Sequence, residues 1–137
     1  MILEPGVHVE TNTSSVAEAF RKAKECRFRV FDVDLRGTDT KQALLARLKA
    51  GLSLPDYFGA NWDALEECLR DLQIEGSQGV LLVLRSADAL LSVPASDRHT
   101  LTSILSETAR FWEGGGVRFC SVLVGSPVLA ETIASAA

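Results

Sequence analysis

The 137-residue chain is 47% apolar and 23% charged, enough apolar content to bury a core of its own as one domain and too little polarity for disorder. No apolar run approaches the roughly 20 residues that span a bilayer, and the start, MILEPGVHVE, lacks a basic region followed by an apolar stretch, so a cytoplasmic protein with no membrane partner is expected. The net charge of −4 argues against a nucleic-acid partner, because phosphate binding needs a basic footprint.

Cys26, Cys68 and Cys120 are odd in number, far apart and without a CxxC pair. They suggest neither a disulfide framework nor a zinc site, and read as reduced, buried, small apolar residues. Neither a metal nor a cofactor is expected, and the oligomeric expectation is a monomer.

In chain order, SSVAEAFRKAKEC reads as a helix, with Ser15 and Glu18 at capping-box spacing and Val16, Ala19, Phe20 and Ala23 in one apolar stripe. RFRVFDVDL suits a strand. TDTKQALLARLKAGL reads as a second helix, carrying Ala43, Leu44 and Leu48 and stopped by Gly51. SLPDYFGAN is a turn segment that leads into the helix NWDALEECLRDL. GVLLVLR is a continuous apolar run of the kind found in the middle of a parallel sheet. SADALLS suggests a short helix, and SDRHTLTSILSETARFW a longer one with Leu101, Ile104, Leu105 and Thr108 inward. GGGVRFCSVLVG supplies the last strand. In the tail SPVLAETIASAA, Ser-Pro forms an N-cap and N1 pair.

Strands separated by helical patterns imply an α/β fold with a parallel sheet and crossover helices. The sheet expected is three-stranded, with His8 to Glu10 as a candidate for a short fourth strand.

Charge is unevenly spread. Residues 1–53 carry +2, residues 54–72 carry −4 and residues 73–137 carry −2. At about 100° per residue, Leu65, Cys68, Leu69 and Leu72 fall on one side of the third helix and Asp63, Glu66, Glu67, Arg70 and Asp71 on the other, with Trp62 on the border. Asn61 is the N-cap candidate, and Asp63 in the first turn favours the helix dipole. Asp63 with Glu67, and Glu67 with Asp71, are like charges at i, i+4, each costing roughly 0.2–0.5 kcal/mol. An ordinary solvated face, aided by the Glu66–Arg70 pair, accounts for this pattern. So does a docking surface for a basic protein partner, with Tyr57, Phe58 and Trp62 as aromatic anchors.

The run LPDYFGANWDALEECL resembles the barstar family of intracellular ribonuclease inhibitors, whose members carry a similar Leu-Pro-acid-aromatic-aromatic-Gly-x-Asn-x-Asp-Ala-Leu segment. The likeness extends more loosely from about Arg27 to Gly125. It leaves residues 1–26 as an N-terminal extension with one helix and 126–137 as a C-terminal helical tail. It implies a barstar-like fold, a small three-stranded parallel sheet flanked by helices. It also implies that the loop and following helix plug the active site of a ribonuclease, or of a ribonuclease-type toxin for which the chain would be the immunity protein. Carried over by position, Tyr57, Gly59, Asn61, Trp62, Asp63, Glu66 and Glu67 fall on the contacting segment, and alignment of apolar stripes adds Glu107 from the last long helix. Three positions depart from the family: Glu67 replaces its key aspartate, Glu66 stands where a tryptophan is known, and Arg70 puts a cation in the acidic face.

Enzymatic readings have less support. A glycosidase pair must flank the scissile bond, whereas Asp63 and Glu67 project from one helix face. His8 and His99 lack a nearby nucleophile pattern such as GxSxG and read as surface or capping residues. Gly114 to Gly116 precede a strand, where phosphate-binding glycines would follow one, and so read as a helix stop. Phe111 and Trp112 read as core or edge packing. The expectation is a non-enzymatic inhibitor of a basic ribonuclease, with a scaffolding module for a non-nuclease partner as the alternative.

Overall fold

The computed structural model describes residues 3–55 and 61–135. Four strands, β1 (Gly6–Glu10), β2 (Phe28–Asp34), β3 (Gly79–Arg85) and β4 (Arg118–Val124), form one sheet in the order β1-β4-β3-β2, with every neighbouring pair parallel. Five α-helices accompany them: α1 (Thr13–Glu25), α2 (Lys41–Gly51), α3 (Trp62–Arg70), α4 (Ala95–Glu113) and α5 (Pro127–Ser135), with a 3₁₀ turn over Ala87–Leu91.

The expected three-stranded sheet is therefore corrected to four. GVHVE runs beside β4 in register from Gly6 opposite Cys120 to Glu10 opposite Val124. Val7 and Val9 pack against the main core, giving an otherwise polar stretch its reason to be a strand. The candidate fourth strand at His8 to Glu10 is thus present, two residues longer; its pairing joins residues more than a hundred positions apart, and local pattern does not register the partner.

β3 lies between two strands, and its residues from Gly79 to Leu84 are buried, as a continuous apolar run requires. Its side chains alternate between two cores. Val80, Leu82 and Leu84 join Leu44, Leu48, Leu65, Leu69, Leu101 and Leu105 in the larger one. Leu81 and Val83 meet Val16, Ala19, Ala23, Cys120 and Val122 in the smaller one, which α1 covers.

Two local details differ from expectation. α1 is capped by Asn12, whose side chain accepts from the Ser14 amide, rather than by Ser15. Glu18 turns away from the helix start to bind Arg21. Gly51 lies in the last turn of α2, and Leu52 is the cap. A Cβ on Gly51 would fall 2.4 Å from Val33 Cγ2, so this glycine lets the helix approach β2 closely. α4 and the tail helix follow expectation. Leu101, Ile104, Leu105 and Thr108 are buried, and Ser126 sits immediately before α5 with its Oγ accepting from the Leu129 amide at 3.4 Å.

Candidate functional site

α3 begins where Asn61 Oδ1 accepts from the Ala64 amide at 2.8 Å, and it ends at Asp71, whose amide donates to the Cys68 carbonyl. Leu65 and Leu69 are fully buried beneath it. Each contributes about 1.5–3 kcal/mol of apolar burial, which outweighs the few tenths that its like-charge pairs cost. Self-repulsion on α3 is thus tolerated by the core underneath.

Two indoles fasten the helix to α4. Trp62 is half-buried and donates from Nε1 to Asp97 Oδ1 at 3.1 Å. Trp112, also half-buried, donates from Nε1 to the Leu69 carbonyl at 3.0 Å and so satisfies a carbonyl in the last turn of α3. One clamp acts at each end of a nine-residue helix. Asp97 and Trp112 were not read as site residues from the sequence. Their partners lie 35 and 43 positions away, and no local pattern signals such a bond.

The charged side resolves into two stripes. Asp63, Glu67 and Asp71 form an exposed crest, and none of the three has an ion-pair partner among the described residues. Glu66 and Arg70 form the neighbouring stripe toward α4, joined at 2.8 Å. The Arg70 guanidinium lies 5.6 Å from the centroid of the Phe111 ring. Phe111, expected to pack inward or at an edge, is instead 49% exposed. Cys68, next to the crest, has its thiol pKa raised by burial and then by the charges of Glu67 and Asp71. Along the other flank runs a groove of about 410 Å³, lined among others by Arg29, Phe31, Leu54, Cys68 and Asp71.

Of the sequence-derived site residues, Asn61, Trp62, Asp63, Glu66 and Glu67 are brought together on α3 and its cap. Asn61 and Trp62 hold the helix in place, whereas Asp63 and Glu67 point their charge outward. Glu107 is on α4, exposed and paired with Arg110. Tyr57, Phe58 and Gly59 lie outside the described residues. Among the described residues, no group of three or more His, Cys, Asp or Glu is placed to hold a metal ion, and no helix is long and apolar enough to cross a membrane.

The family model described as Barstar (barnase inhibitor) matches residues 28–124, which include the α3 crest and both clamps. The chain belongs to the Barstar family. That match starts at β2 and ends at β4, so β1, α1 and α5 fall outside it. No curated protein matches the chain. Among solved structures, it is similar to the ORC2 protein of Aeropyrum pernix, determined as ADPNP-ADP complexes, with a TM-score of 0.62 and 20% identity over 96% of this chain. The chain spans 38% of the length of that protein, and at this identity the likeness shows the fold alone.

Proposed function

We propose that this Barstar-family chain is a cytoplasmic protein inhibitor that covers the cationic active site of a ribonuclease or ribonuclease-type toxin, acting by occlusion without chemistry of its own. The observation that carries the reading is the crest. Asp63, Glu67 and Asp71 stand unpaired among the described residues on a helix fixed at both ends, inside the segment that matches a family of nuclease inhibitors. Carboxylates so placed can meet the Arg and Lys side chains that would otherwise hold substrate phosphate. On this reading Tyr57, Phe58 and Gly59 also contact the partner, and Glu107 contributes from α4.

The nucleotides named for the ORC2 structure do not transfer to this chain. The turn between β1 and α1 is Thr11–Asn12, and the sequence contains no Gly-Lys dipeptide, whereas a phosphate-cradling loop of the GxxxxGK[ST] type needs both the glycines and the lysine.

A second reading, a scaffolding module with a non-nuclease partner, is favoured by β1 and α1, which lie outside the family match. Titration of the purified protein into barnase, the nuclease that the family description names, separates the two. Inhibition of RNA cleavage at equimolar protein, with an on-rate that falls steeply as salt rises, is the expected result. Absence of both inhibition and association at low salt would leave the scaffolding reading.

A further inference from the structure

The geometry points to a second, uncharged half of the docking surface: a shoulder made by Arg70 and Phe111 on the α4 flank of α3, which seats an apolar rim beside the partner's cationic cleft. This rests on the inhibitor reading and specifies the kind of basic protein that the surface fits. On sequence alone, Arg70 is a cation set in an acidic face, where it would repel a basic partner. In the structure its guanidinium is drawn to the α4 side by two groups, the Glu66 carboxylate at 2.8 Å and the Phe111 ring at 5.6 Å. Glu66 and Arg70 thus form a neutral pair, and the crest of Asp63, Glu67 and Asp71 keeps its charge intact beside them.

A single exposed apolar side chain is ordinary on a protein surface. Phe111 differs in being held. Trp112 meets it edge-on, with ring centroids 5.4 Å apart and planes at 87°, while Arg70 lies over it. Trp112 is in turn bonded to the Leu69 carbonyl of α3. The half-exposed ring is therefore ordered before any partner arrives, which reduces the entropy lost on binding. Aromatic and arginine side chains are also the types that dominate interface hot spots, where isolated acids and lysines are scarce. The two halves divide the work: the crest steers a cationic surface in and pairs with its Arg and Lys side chains, and the shoulder adds apolar contact beside those pairs. Charge complementarity sets the occupant as a basic protein rather than a second copy of this chain, whose own crest would be repelled.

The test uses barnase as the probe, with on-rates and off-rates measured at low and high salt for the intact chain and for Glu67→Gln, Phe111→Ala and Phe111→Tyr, each checked for an unchanged melting temperature. Phe111→Ala should raise the off-rate about tenfold and leave the on-rate and its salt dependence as they were, while Phe111→Tyr keeps most of the affinity. If Phe111→Ala stays within about twofold of the intact chain while Glu67→Gln weakens binding, the shoulder is wrong and the inhibitor reading stands. If the intact chain does not bind barnase at low salt, the inhibitor reading fails for barnase-type ribonucleases and the shoulder fails with it. A dimer of the free chain, seen by sedimentation and dissolved by Phe111→Ala, would overturn the choice of occupant.

Discussion

α1 and α3, counted with its C-cap Asp71, each carry five charged residues over an apolar face, yet they dispose of the charge in opposite ways. On α1, Arg21 bonds to both Glu18 and Glu25, and its hydrogen bond holds the Glu18 carboxyl below the usual carboxylate range. Lys22 and Lys24 sit in the last turn, where cations suit the helix dipole. On α3, one pair forms between Glu66 and Arg70, and the other three carboxylates have no ion-pair partner among the described residues. Among the described residues α1 leaves Lys22 and Lys24 without an ion-pair partner, but at the helix end that suits cations, whereas α3 leaves Glu67 and Asp71 toward the end that disfavours anions. The number of charges does not separate the two helices; the placement of the unpartnered ones does, and the docking role proposed for the crest rests on it.

The strongest way to break this contrast is to neutralise one acid on each helix. Glu67→Gln should cost about 2–5 kcal/mol in binding to a basic ribonuclease, the range for removing one member of a buried charge pair, drawn in part from complexes of this same family. The free protein should keep its fold, or gain a few tenths of a kcal/mol from relief of the contacts with Asp63 and Asp71. Glu18→Gln should leave binding unchanged. If the binding loss followed Glu18 instead, the docking face would lie on α1. Glu67→Asp refines the result: a partner shaped for this chain loses affinity, and one shaped for the family's usual aspartate gains it.

A second measurement concerns what each helix covers. Beneath α1, burial pushes the Cys120 thiol up to about 11 from an ordinary value near 9. Below pH 9 both folded and unfolded chains keep this thiol protonated, and its contribution to stability is complete. Between pH 9 and 11 the unfolded chain ionises first, so stability should fall by an amount on the order of 2 kcal/mol. Denaturant titrations across that window should show the loss, and Cys120→Ala should flatten the slope even though it lowers stability throughout.

The smallest expected effect sharpens the claim that α3 is braced. Trp112→Phe removes the donor to the Leu69 carbonyl and should cost about 1 kcal/mol of stability. Amide exchange should quicken in the last turn of α3 and stay unchanged in α1. Equal acceleration in both helices would mean that the indole supports the fold generally.

Much of this architecture was legible because each signal was local. GVLLVLR announces a central strand by its unbroken apolar run, Asn61 announces the start of α3, and the spacing of Leu101, Ile104, Leu105 and Thr108 announces the inner face of α4. What was not legible depends on distant partners. β1 is short and half-polar, so that only His8 to Glu10 could be offered as a strand, and its place beside β4 could not be read. Gly51 looks like a helix stop until Val33 is seen beneath it. The acids of the site could be read directly, whereas the clamps of Asp97 and Trp112 and the turning of Arg70 onto Phe111 arise only when α3 lies against α4.

The pairing of β1 with β4 has a consequence during synthesis. Residues 6–10 leave the ribosome well before residues 118–124, which hold their sheet neighbour among the described residues, so β1 must wait until β4 has been made. In that interval α1 has no finished sheet to cover, and Leu81 and Val83 emerge before Cys120 and Val122 exist to complete the small core. Non-local pairing of this kind slows folding and prolongs exposure of apolar surface. Trimming the chain to the family-matched residues 28–124 would make that exposure permanent, because it removes the helix that closes this side of the sheet and leaves β4 as an open edge.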